Sequence, residues 1–304
     1  MKFSSKTKTF GSILLTSAIL GLLLYLSNPA EALSNISSAN PLLLFLAALT
    51  ANTPLLIYAY VWQKIFGILK INLSYFENLR LLMVNVFINN ITPFGNIGGE
   101  VVTTYILSKE ISISSGKIFS GLLTASIVNF APLITLLIIG SIVTGYWHII
   151  TVLAIFSLIS KLLLNYRPKL SSRIEGFISD FGDSLSIIKR SWKKILPLIG
   201  ITHMGIFFDT LSIALIGLSF GFNLFTPELL LIIPLARLAN YFPTPGGSGP
   251  YEVALAGLLS GFIGIKLSQG VLIAVTYRVL TYYVGILIGY LAINSVQIKG
   301  VDIM

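Results

Sequence analysis

Long hydrophobic stretches separated by short polar segments run along most of the chain. An α-helix needs about 20 apolar residues to cross a bilayer, and several of these stretches approach or exceed that length. We predict membrane spans at residues 11–26, 41–66, 117–143, 146–165, 195–220 and 268–294. Their length and their Leu and Ile content exclude the short alternating strands of an outer-membrane barrel. The pattern therefore predicts an all-α polytopic membrane protein.

Two further apolar helices, at residues 74–91 and 227–242, each end at a segment rich in Gly and Pro. The first segment is Thr-Pro-Phe-Gly-Asn-Ile-Gly-Gly-Glu at residues 92–100, and the second is Thr-Pro-Gly-Gly-Ser-Gly-Pro-Tyr-Glu at residues 244–252. They share Thr-Pro-x-Gly and a final Glu, and they lie 152 residues apart in a chain of 304 residues. An offset of half the length indicates an internal duplication. Paired interrupted helices of this kind are typical of binding sites in membrane transporters.

The positions of the charged residues indicate how the two halves cross the membrane. Loops rich in Lys and Arg stay on the cytoplasmic side. If both broken segments form re-entrant hairpins, the basic segments fall on one side, namely residues 2–8, 64–80, 109–117, 167–194 and Lys299. The other side then holds Glu31, His148 and Glu228, with Lys266 as the main exception. Each half has three crossings in this layout, and an odd number predicts that the halves are inverted.

This layout divides the chain into two inverted repeats. The first repeat is residues 1–143 and contains a re-entrant hairpin at 74–110. The second is residues 144–304, with a cytoplasmic linker at 166–194, an amphipathic helix in that linker and a re-entrant hairpin at 227–264. We expect both termini in the cytoplasm and the protein in the plasma membrane. The basic N-terminus resembles a secretory signal, but we expect it to be retained because the duplication needs its helix.

The composition supports a membrane protein and excludes several chemistries. Hydrophobic residues make up 55% of the chain and charged residues 10%, and the mean hydropathy is +0.89. The net charge of +9 is explained by orientation and by anionic lipid headgroups, so no nucleic-acid partner is expected. Because the chain has no cysteine, it has no disulfide, thiol nucleophile or Cys-based metal site. We predict no cofactor, no metal and no catalytic residue.

The broken segments carry candidate binding residues. A short helix follows each segment, and the free N–H groups and positive dipole end of such a helix favour an anion such as a phosphate. Glu100 and Glu252 begin these helices. Each either caps its helix or takes up an ammonium group or a proton, and both interpretations stay open. The candidates in the segments themselves are Thr92, Pro93, Gly95, Thr244, Pro245, Gly246 and Gly247.

Three charged residues inside predicted helices complete the candidate substrate-binding set. Arg278 in the last span and Asp209 in the fifth each cost about 2.5 to 3.5 kcal/mol in a bilayer if unpaired, so both are expected to face the interior. Arg278 either pairs with Glu252 or Asp209, or its guanidinium holds a phosphate through two hydrogen bonds. Arg237, in the helix that leads into the second segment, is the third candidate.

The second segment, from Pro245 to Glu252, is followed by Arg278 in Tyr-Arg-Val-Leu-Thr-Tyr-Tyr. In this it resembles the lysylphosphatidylglycerol synthase transmembrane-region family, also called flippase-like proteins, and the first segment fits the same pattern. The resemblance covers nearly the whole chain, and it implies movement of a polar-headed lipid between leaflets. Members often carry an Arg three residues after the first Glu, where this chain has Thr103, which argues against a basic headgroup contact there. Since no aminoacyltransferase domain follows the last span, we expect no lipid aminoacylation.

We therefore predict a translocase of a phosphate-containing membrane lipid, which is not an enzyme. The expected partner is an anionic phospholipid or a polyprenyl-linked lipid, moved through a polar cavity between the two broken segments. Whether the protein forms a homo-oligomer stays open. No ATP-binding loop is visible in the sequence, so we expect the driving force to come from a gradient, an ion or a partner.

Two alternatives belong to other classes. A secondary transporter of a small solute would use the same inverted repeats and broken helices. An intramembrane serine protease is suggested by Gly-Gly-Ser-Gly at residues 246–249. Such a serine needs a general base, and no His follows Ser248.

Overall fold

The structure, a computed structural model, describes residues 37–92, 98–149 and 172–294. These residues form α-helices joined by short turns. The helices are α1 (Pro41–Ile68), α2 (Tyr75–Ile91), α3 (Gly98–Ile111), α4 (Ser115–Val143), α5 (Ser172–Arg190), α6 (Trp192–Ser219), α7 (Leu229–Leu238), α8 (Pro250–Ile263), α9 (Leu267–Arg278) and α10 (Val284–Asn294). Short 3₁₀ turns lie at Ala239–Tyr241 and Pro245–Gly247, and a π-helical turn at Val279–Tyr283 joins α9 to α10.

Four helices in the described ranges are long and apolar enough to cross a membrane. They are Pro41–Ile68, Ser115–Val143, Trp192–Ser219 and Leu267–Ile293. They correspond to the predicted spans at 41–66, 117–143, 195–220 and 268–294. The predicted span at 11–26 lies outside the described residues, as does nearly all of the span at 146–165. Large apolar side chains are exposed on these helices, for example Leu42, Phe45 and Leu49 on α1, as lipid-facing surfaces require. The protein is therefore a multi-pass membrane protein, and its described residues are helical without strands.

Local signals in the sequence set several helix boundaries. Asn40 caps α1 by accepting hydrogen bonds from the N–H groups of Leu42 and Leu43, and Pro41 occupies the first helical position. Ser74 and Glu77 form a reciprocal capping box at the start of α2. The hydrogen bonds from the side chain and backbone of Ser74 lower the pKa of Glu77.

Helix α2 ends at Ile91, and the backbone becomes extended at the next residue, Thr92, with φ −109° and ψ 141°. Helix α3 starts at Gly98. The first broken segment therefore lies between these two helices, and Pro93 and Gly95 within it lie outside the described residues.

The helices of the two halves pack against each other in a reciprocal pattern. Helix α1 packs along α6, helix α4 packs against α7, and α10 packs against α2. The last two contacts are close because a glycine lies at each one. A side chain at Gly140 would overlap the backbone of Leu230, and one at Gly289 would overlap Phe87 and the backbone of Met83. Small residues allow this close approach of helices in membranes.

The last span differs from the predicted continuous helix, whereas the helix predicted in the linker is present. The last span is not a regular α-helix throughout, because the π-helical turn follows directly after Arg278. One carbonyl of that turn, at Leu280, accepts a hydrogen bond from the Asn52 amide at 3.0 Å. The amphipathic helix predicted in the linker is present as α5, and it packs on α4 through Phe177 and Phe181, whose rings contact Phe119.

Candidate functional site

The second broken segment folds into a tight turn that requires its glycines. Gly246, Gly247 and Gly249 have φ values of 57°, 68° and 92°, in the region that L side chains rarely adopt. A side chain at Gly247 would also overlap the backbone of Asn240. Thr244 and Pro245 are buried in the same turn. The Gly-rich composition therefore serves a compact turn inside the protein, as irregular backbone at membrane depth must be enclosed.

Glu252 both caps α8 and forms an ion pair. One carboxylate oxygen, Oε2, accepts a hydrogen bond from the Gly249 N–H at 2.6 Å. The other, Oε1, accepts one from Nε of Arg278 at 2.7 Å. The Glu252 side chain is only 1% exposed. The capping role and the pairing role are thus both present in a single carboxylate.

The Arg278 guanidinium is held on several sides. Its Nη2 donates to the Asn240 side-chain oxygen and to the Gly246 carbonyl, both at 3.1 Å. The rings of Tyr251 and Tyr282 lie 4.4 and 5.5 Å from its central carbon, within the range of cation–π attraction. With the Glu252 bond, these contacts tie Arg278 to the broken segment itself.

A second buried charge pair lies beside the first. Asp209 accepts hydrogen bonds from Nε of Arg237 at 3.0 Å, from Nη2 of the same guanidinium, and from the Tyr277 hydroxyl. Asp209 is 1% exposed, whereas the Arg237 side chain is 25% exposed. Of the two pairings considered for Arg278, the structure has the one with Glu252, and Asp209 pairs with Arg237 instead.

The first broken segment is organised differently. Oγ1 of Thr92 donates to the Ile88 carbonyl at 2.7 Å, and the Asn89 side-chain oxygen accepts from the Gly99 N–H at 2.7 Å. Glu100 lies in the first turn of α3, where Oε1 accepts a hydrogen bond from the Ser126 hydroxyl at 3.4 Å. Its other oxygen, Oε2, is buried and makes no hydrogen bond of good geometry among the described residues. The side-chain amides of Asn85 and Asn89 also act on this carboxylate. The first carboxylate is therefore surrounded by neutral donors, whereas the second is paired with a cation.

The two broken regions meet inside the protein. The Tyr282 hydroxyl donates to the Asn90 carbonyl at 2.8 Å, and Asn90 lies two residues before Thr92. Gly246 packs against Asn90 and the Tyr282 ring so closely that a side chain there would overlap both. Residues adjoining the first segment thus contact the turn of the second.

Two cavities adjoin these residues. The larger cavity, of about 530 Å³, is lined by polar and apolar side chains. The polar lining residues are Tyr58, Asn89, Glu100, Ser126, Asn129, Arg237, Asn240 and Tyr241. The apolar lining residues are Phe119, Leu123, Phe130 and Leu133 of α4, the helix that also carries Ser126 and Asn129. The smaller cavity, of about 220 Å³, is lined by Asp209, Arg278, Gly246 and Tyr282 among others, and it shares Tyr58, Arg237 and Asn240 with the larger one.

A family comparison covers all of these helices except the last residues of α10. The model of the family described as the lysylphosphatidylglycerol synthase TM region matches residues 10–289 of the chain. The chain belongs to this family.

Curated relatives of similar length are UPF0104 membrane proteins of archaea. One from Methanocaldococcus jannaschii is 24% identical over 292 aligned residues, which cover 86% of each chain. One from Archaeoglobus fulgidus is 25% identical, covering 94% of this chain and 96% of the relative. One from Pyrococcus horikoshii is 22% identical, covering 81% of this chain and 84% of the relative. Each match covers most of this chain and most of the relative.

Several cavity residues were not among the sequence candidates. Tyr58, Ser126 and Asn129 are single polar residues inside apolar spans, and the first lies on α1 while the other two lie on α4. A spacing of three residues places Ser126 and Asn129 on one face of α4, which is the available sequence signal. Isolated Ser, Tyr and Asn residues in membrane helices are common, so that signal is weak without the fold.

Proposed function

We propose that this protein is a lipid translocase that moves a polar-headed, phosphate-containing lipid between the leaflets of the plasma membrane. The observation that carries the proposal is the larger cavity, which is lined both by polar side chains from the two halves and by apolar side chains of one membrane span. A cavity with both kinds of lining suits an amphiphile, whose headgroup needs hydrogen bonds and whose chains need apolar surface. The family description, which names a lipid synthase transmembrane region, supports a lipid as the substrate.

We assign the first contact with the lipid phosphate to Arg237. Its side chain is 25% exposed and lines both cavities, whereas Arg278 is 10% exposed and is bonded to the broken segment. A guanidinium can bind a phosphate through two hydrogen bonds while a carboxylate balances its charge. Arg278 and the start of α8 would then hold the turn in shape and add positive potential nearby.

The proposal includes two inverted repeats. Helix α3 (Gly98–Ile111) and α8 (Pro250–Ile263) have both boundaries displaced by the 152 residues that separate the two Thr-Pro-x-Gly segments. The reciprocal packing, with α4 on α7 and α10 on α2, is the contact pattern expected of two similar units related by a two-fold axis. If the repeats are inverted, rocking of one against the other would expose the cavity to each leaflet in turn.

A second candidate is a secondary transporter of a small solute. The smaller cavity favours it, since about 220 Å³ beside two ion pairs suits a small polar molecule better than a lipid. The two candidates differ in the substrate that moves, and one vesicle preparation can test both.

The test is translocation of fluorescent phospholipids in proteoliposomes, measured by chemical quenching of the outer leaflet. We expect faster quenching of inner-leaflet lipid with wild-type protein than with empty vesicles. Arg237→Lys should slow it, because an ammonium keeps the charge that pairs with Asp209 but loses the two-pronged phosphate contact. Arg80→Lys is the matched control, since Arg80 pairs with Glu110 away from both cavities.

Each preparation is first checked for a single monodisperse species in detergent. Equal quenching rates with and without folded wild-type protein would overturn the lipid assignment. Uptake of soluble anions into the same vesicles, without lipid movement, would favour the small-solute transporter.

A further inference from the structure

The two halves differ in how they neutralise their intramembrane glutamate. In each half, the residue 26 positions after the glutamate hydrogen-bonds its Oε1 atom. In the second half this residue is Arg278, which brings a positive charge to Glu252 at 2.7 Å. In the first half it is Ser126, a neutral hydroxyl 3.4 Å from Glu100. The first half therefore has the carboxylate of the pair without its cation.

Open space borders Glu100 where a guanidinium borders Glu252. Glu100 and Ser126 both line the larger cavity of about 530 Å³. In the second half the corresponding position is filled by Arg278, packed near the rings of Tyr251 and Tyr282. The cavity in the first half leaves room for a cation beside the carboxylate.

The same lining contains two buried acceptors without a hydrogen bond of good geometry. Oε2 of Glu100 and the side-chain oxygen of Asn129 are both buried and make no such bond among the described residues. The donors that act on the Glu100 carboxylate are neutral, namely the Ser126 hydroxyl and the side-chain amides of Asn85 and Asn89. Asn129 lies three residues after Ser126, so the two share one face of α4. A carboxylate is only an acceptor, so these oxygens can be satisfied by a proton, a donor or a metal cation. Oxygen atoms of this kind are also the ligands that hard cations prefer.

No protein charge in the described cavity wall fills this role. The titratable groups that share the wall with Glu100 are Tyr58 and Tyr241, which are neutral when protonated, and Arg237. Arg237 is paired with Asp209, and no described residue forms an ion pair with Glu100. Within the described part of the chain, the cavity lining thus carries one uncompensated negative charge when Glu100 is ionised.

We propose that Glu100 is the binding site of a monovalent coupling cation, a proton or Na⁺, which occupies the place that Arg278 takes in the second half. The proposal rests on the proposed transport function, for which it supplies an ion-driven energy source. Cation binding neutralises the cavity wall, and cation release restores its charge. The state of Glu100 would then be linked to the charge of the headgroup that the cavity accepts at Arg237.

Labelling with dicyclohexylcarbodiimide tests the site directly, because this apolar reagent adds to protonated carboxyl groups in apolar surroundings. Purified protein is labelled across the range from about pH 5 to pH 9, in Na⁺ or in choline at equal ionic strength, and the modified peptides are identified by mass spectrometry. We expect modification at Glu100, falling about tenfold for each pH unit above the pKa of its carboxyl group. Glu252 is the internal control and should stay unmodified, because its carboxylate is bonded to Arg278 and to the Gly249 N–H.

The two cation sources give different results. Protection of Glu100 by Na⁺ relative to choline assigns the site to Na⁺, and labelling that depends on pH alone assigns it to the proton. Absence of modification at Glu100 over the whole range, or equal modification of Glu252, overturns the proposal.

Ser126→Arg restores the missing cation and provides the second test. We expect the new guanidinium to pair with Glu100 as Arg278 pairs with Glu252, and therefore to abolish labelling of Glu100. Ser126→Ala removes only the weak hydroxyl bond and should retain the labelling. If Ser126→Arg does not fold, Ser126→Lys places a slimmer cation at the same position. Unchanged labelling of Glu100 in a folded cationic variant would contradict the proposal.

The labelling does not depend on lipid movement, so the two proposals can fail separately. Cation-sensitive labelling of Glu100 without lipid translocation would leave the cation site in place and overturn the lipid assignment. Lipid translocation without labelling of Glu100 would support the lipid assignment and overturn the cation site. If both hold, a pH or Na⁺ gradient should change the translocation rate of the wild type but not of Glu100→Gln.

Discussion

At the scale of single residues, the Glu252 carboxylate joins three parts of the protein. It caps α8 through the Gly249 N–H and binds Arg278 at the end of α9, while Arg278 in turn holds Asn240. Buried pairs of this kind add little net stability compared with apolar residues, but loss of one partner leaves an uncompensated charge. The stability of the protein should therefore fall when one residue of the pair is replaced, and fall less when both are replaced.

We predict that Arg278→Met destabilises the protein by about 3–5 kcal/mol, because the Glu252 charge is left buried without its partner. The double variant Arg278→Met with Glu252→Gln should recover part of this loss, since the glutamine keeps an oxygen for the Gly249 N–H. Thermal unfolding in detergent, followed by circular dichroism, measures the difference. Arg80→Met is the control, because the Arg80–Glu110 pair is partly exposed and should contribute less than about 1 kcal/mol. Additive losses in the double variant would show that the two residues are not coupled.

The tight turn of the second broken segment depends on Gly247. Its φ of 68° is strained for any L side chain, and a Cβ atom would overlap the Asn240 backbone. We expect Gly247→Ala to lower the free energy of unfolding by more than about 1 kcal/mol. Gly257→Ala is the matched control: Gly257 lies inside α8 with open space around it, so alanine should stabilise the helix by about 0.5–1 kcal/mol. Equal effects of the two changes would contradict the role of the turn.

The candidate site could be predicted from sequence only where charge marked it. Arg278, Asp209 and Arg237 are recognisable because a charged residue in an apolar helix must find a partner or a ligand. The choice of partners, Glu252 for Arg278 and Asp209 for Arg237, depends on distances between helices that no spacing gives. Ser126 could not be predicted from the sequence, because serine is common in membrane spans. Its role becomes visible only when the structure places it beside Glu100.

At the scale of elements, the helix boundaries were largely predictable and the shape of the last span was not. Asn40, Ser74 and Ser114 cap α1, α2 and α4 as their positions before apolar stretches indicate. The hydrophobic pattern of residues 268–294 predicts one continuous span, but the π-helical turn Val279–Tyr283 interrupts it. Extra turns of this kind often lie at functional sites. Two carbonyls of the turn accept hydrogen bonds from other helices, Leu280 from Asn52 of α1 and Tyr282 from Asn90 of α2. Because these partners are distant in sequence, the turn has no local signal.

We predict that Asn52→Leu destabilises the protein by about 1 kcal/mol. The Asn52 amide donates to the Leu280 carbonyl at 3.0 Å, so the change removes this hydrogen bond between α1 and the π-helical turn. Thr53→Val on the same helix is the control, because the Thr53 hydroxyl donates to the Leu49 carbonyl within α1, and the change should stay within about 0.5 kcal/mol. Unfolding in detergent measures both variants. An effect of Asn52→Leu no larger than that of Thr53→Val would show that the turn does not depend on this bond.

At the scale of the whole molecule, the predicted duplication would account for the packing better than the individual spans do. The six-span count would allow many arrangements of helices. The reciprocal contacts of α4 with α7 and of α10 with α2 are those that two similar halves make across a common axis. Packing alone does not orient the halves relative to the membrane, because orientation depends on the basic loops. Inversion therefore stays a prediction that needs a measurement in vesicles.

Cysteine accessibility in sealed vesicles can make that measurement, since the chain has no cysteine of its own. Ser114 and Lys266 are exposed, and they precede α4 and α9 at positions 152 residues apart. Lys266 is preferable to the neighbouring Gly264, whose φ of 82° disfavours a side chain. If the repeats are inverted, Ser114→Cys and Lys266→Cys lie on opposite sides of the membrane. A membrane-impermeant maleimide should then label one of them in intact vesicles and the other only after the vesicles are opened. Labelling of both from the same side would show that the halves are parallel, and the alternating exposure proposed for the cavity would lose its structural basis.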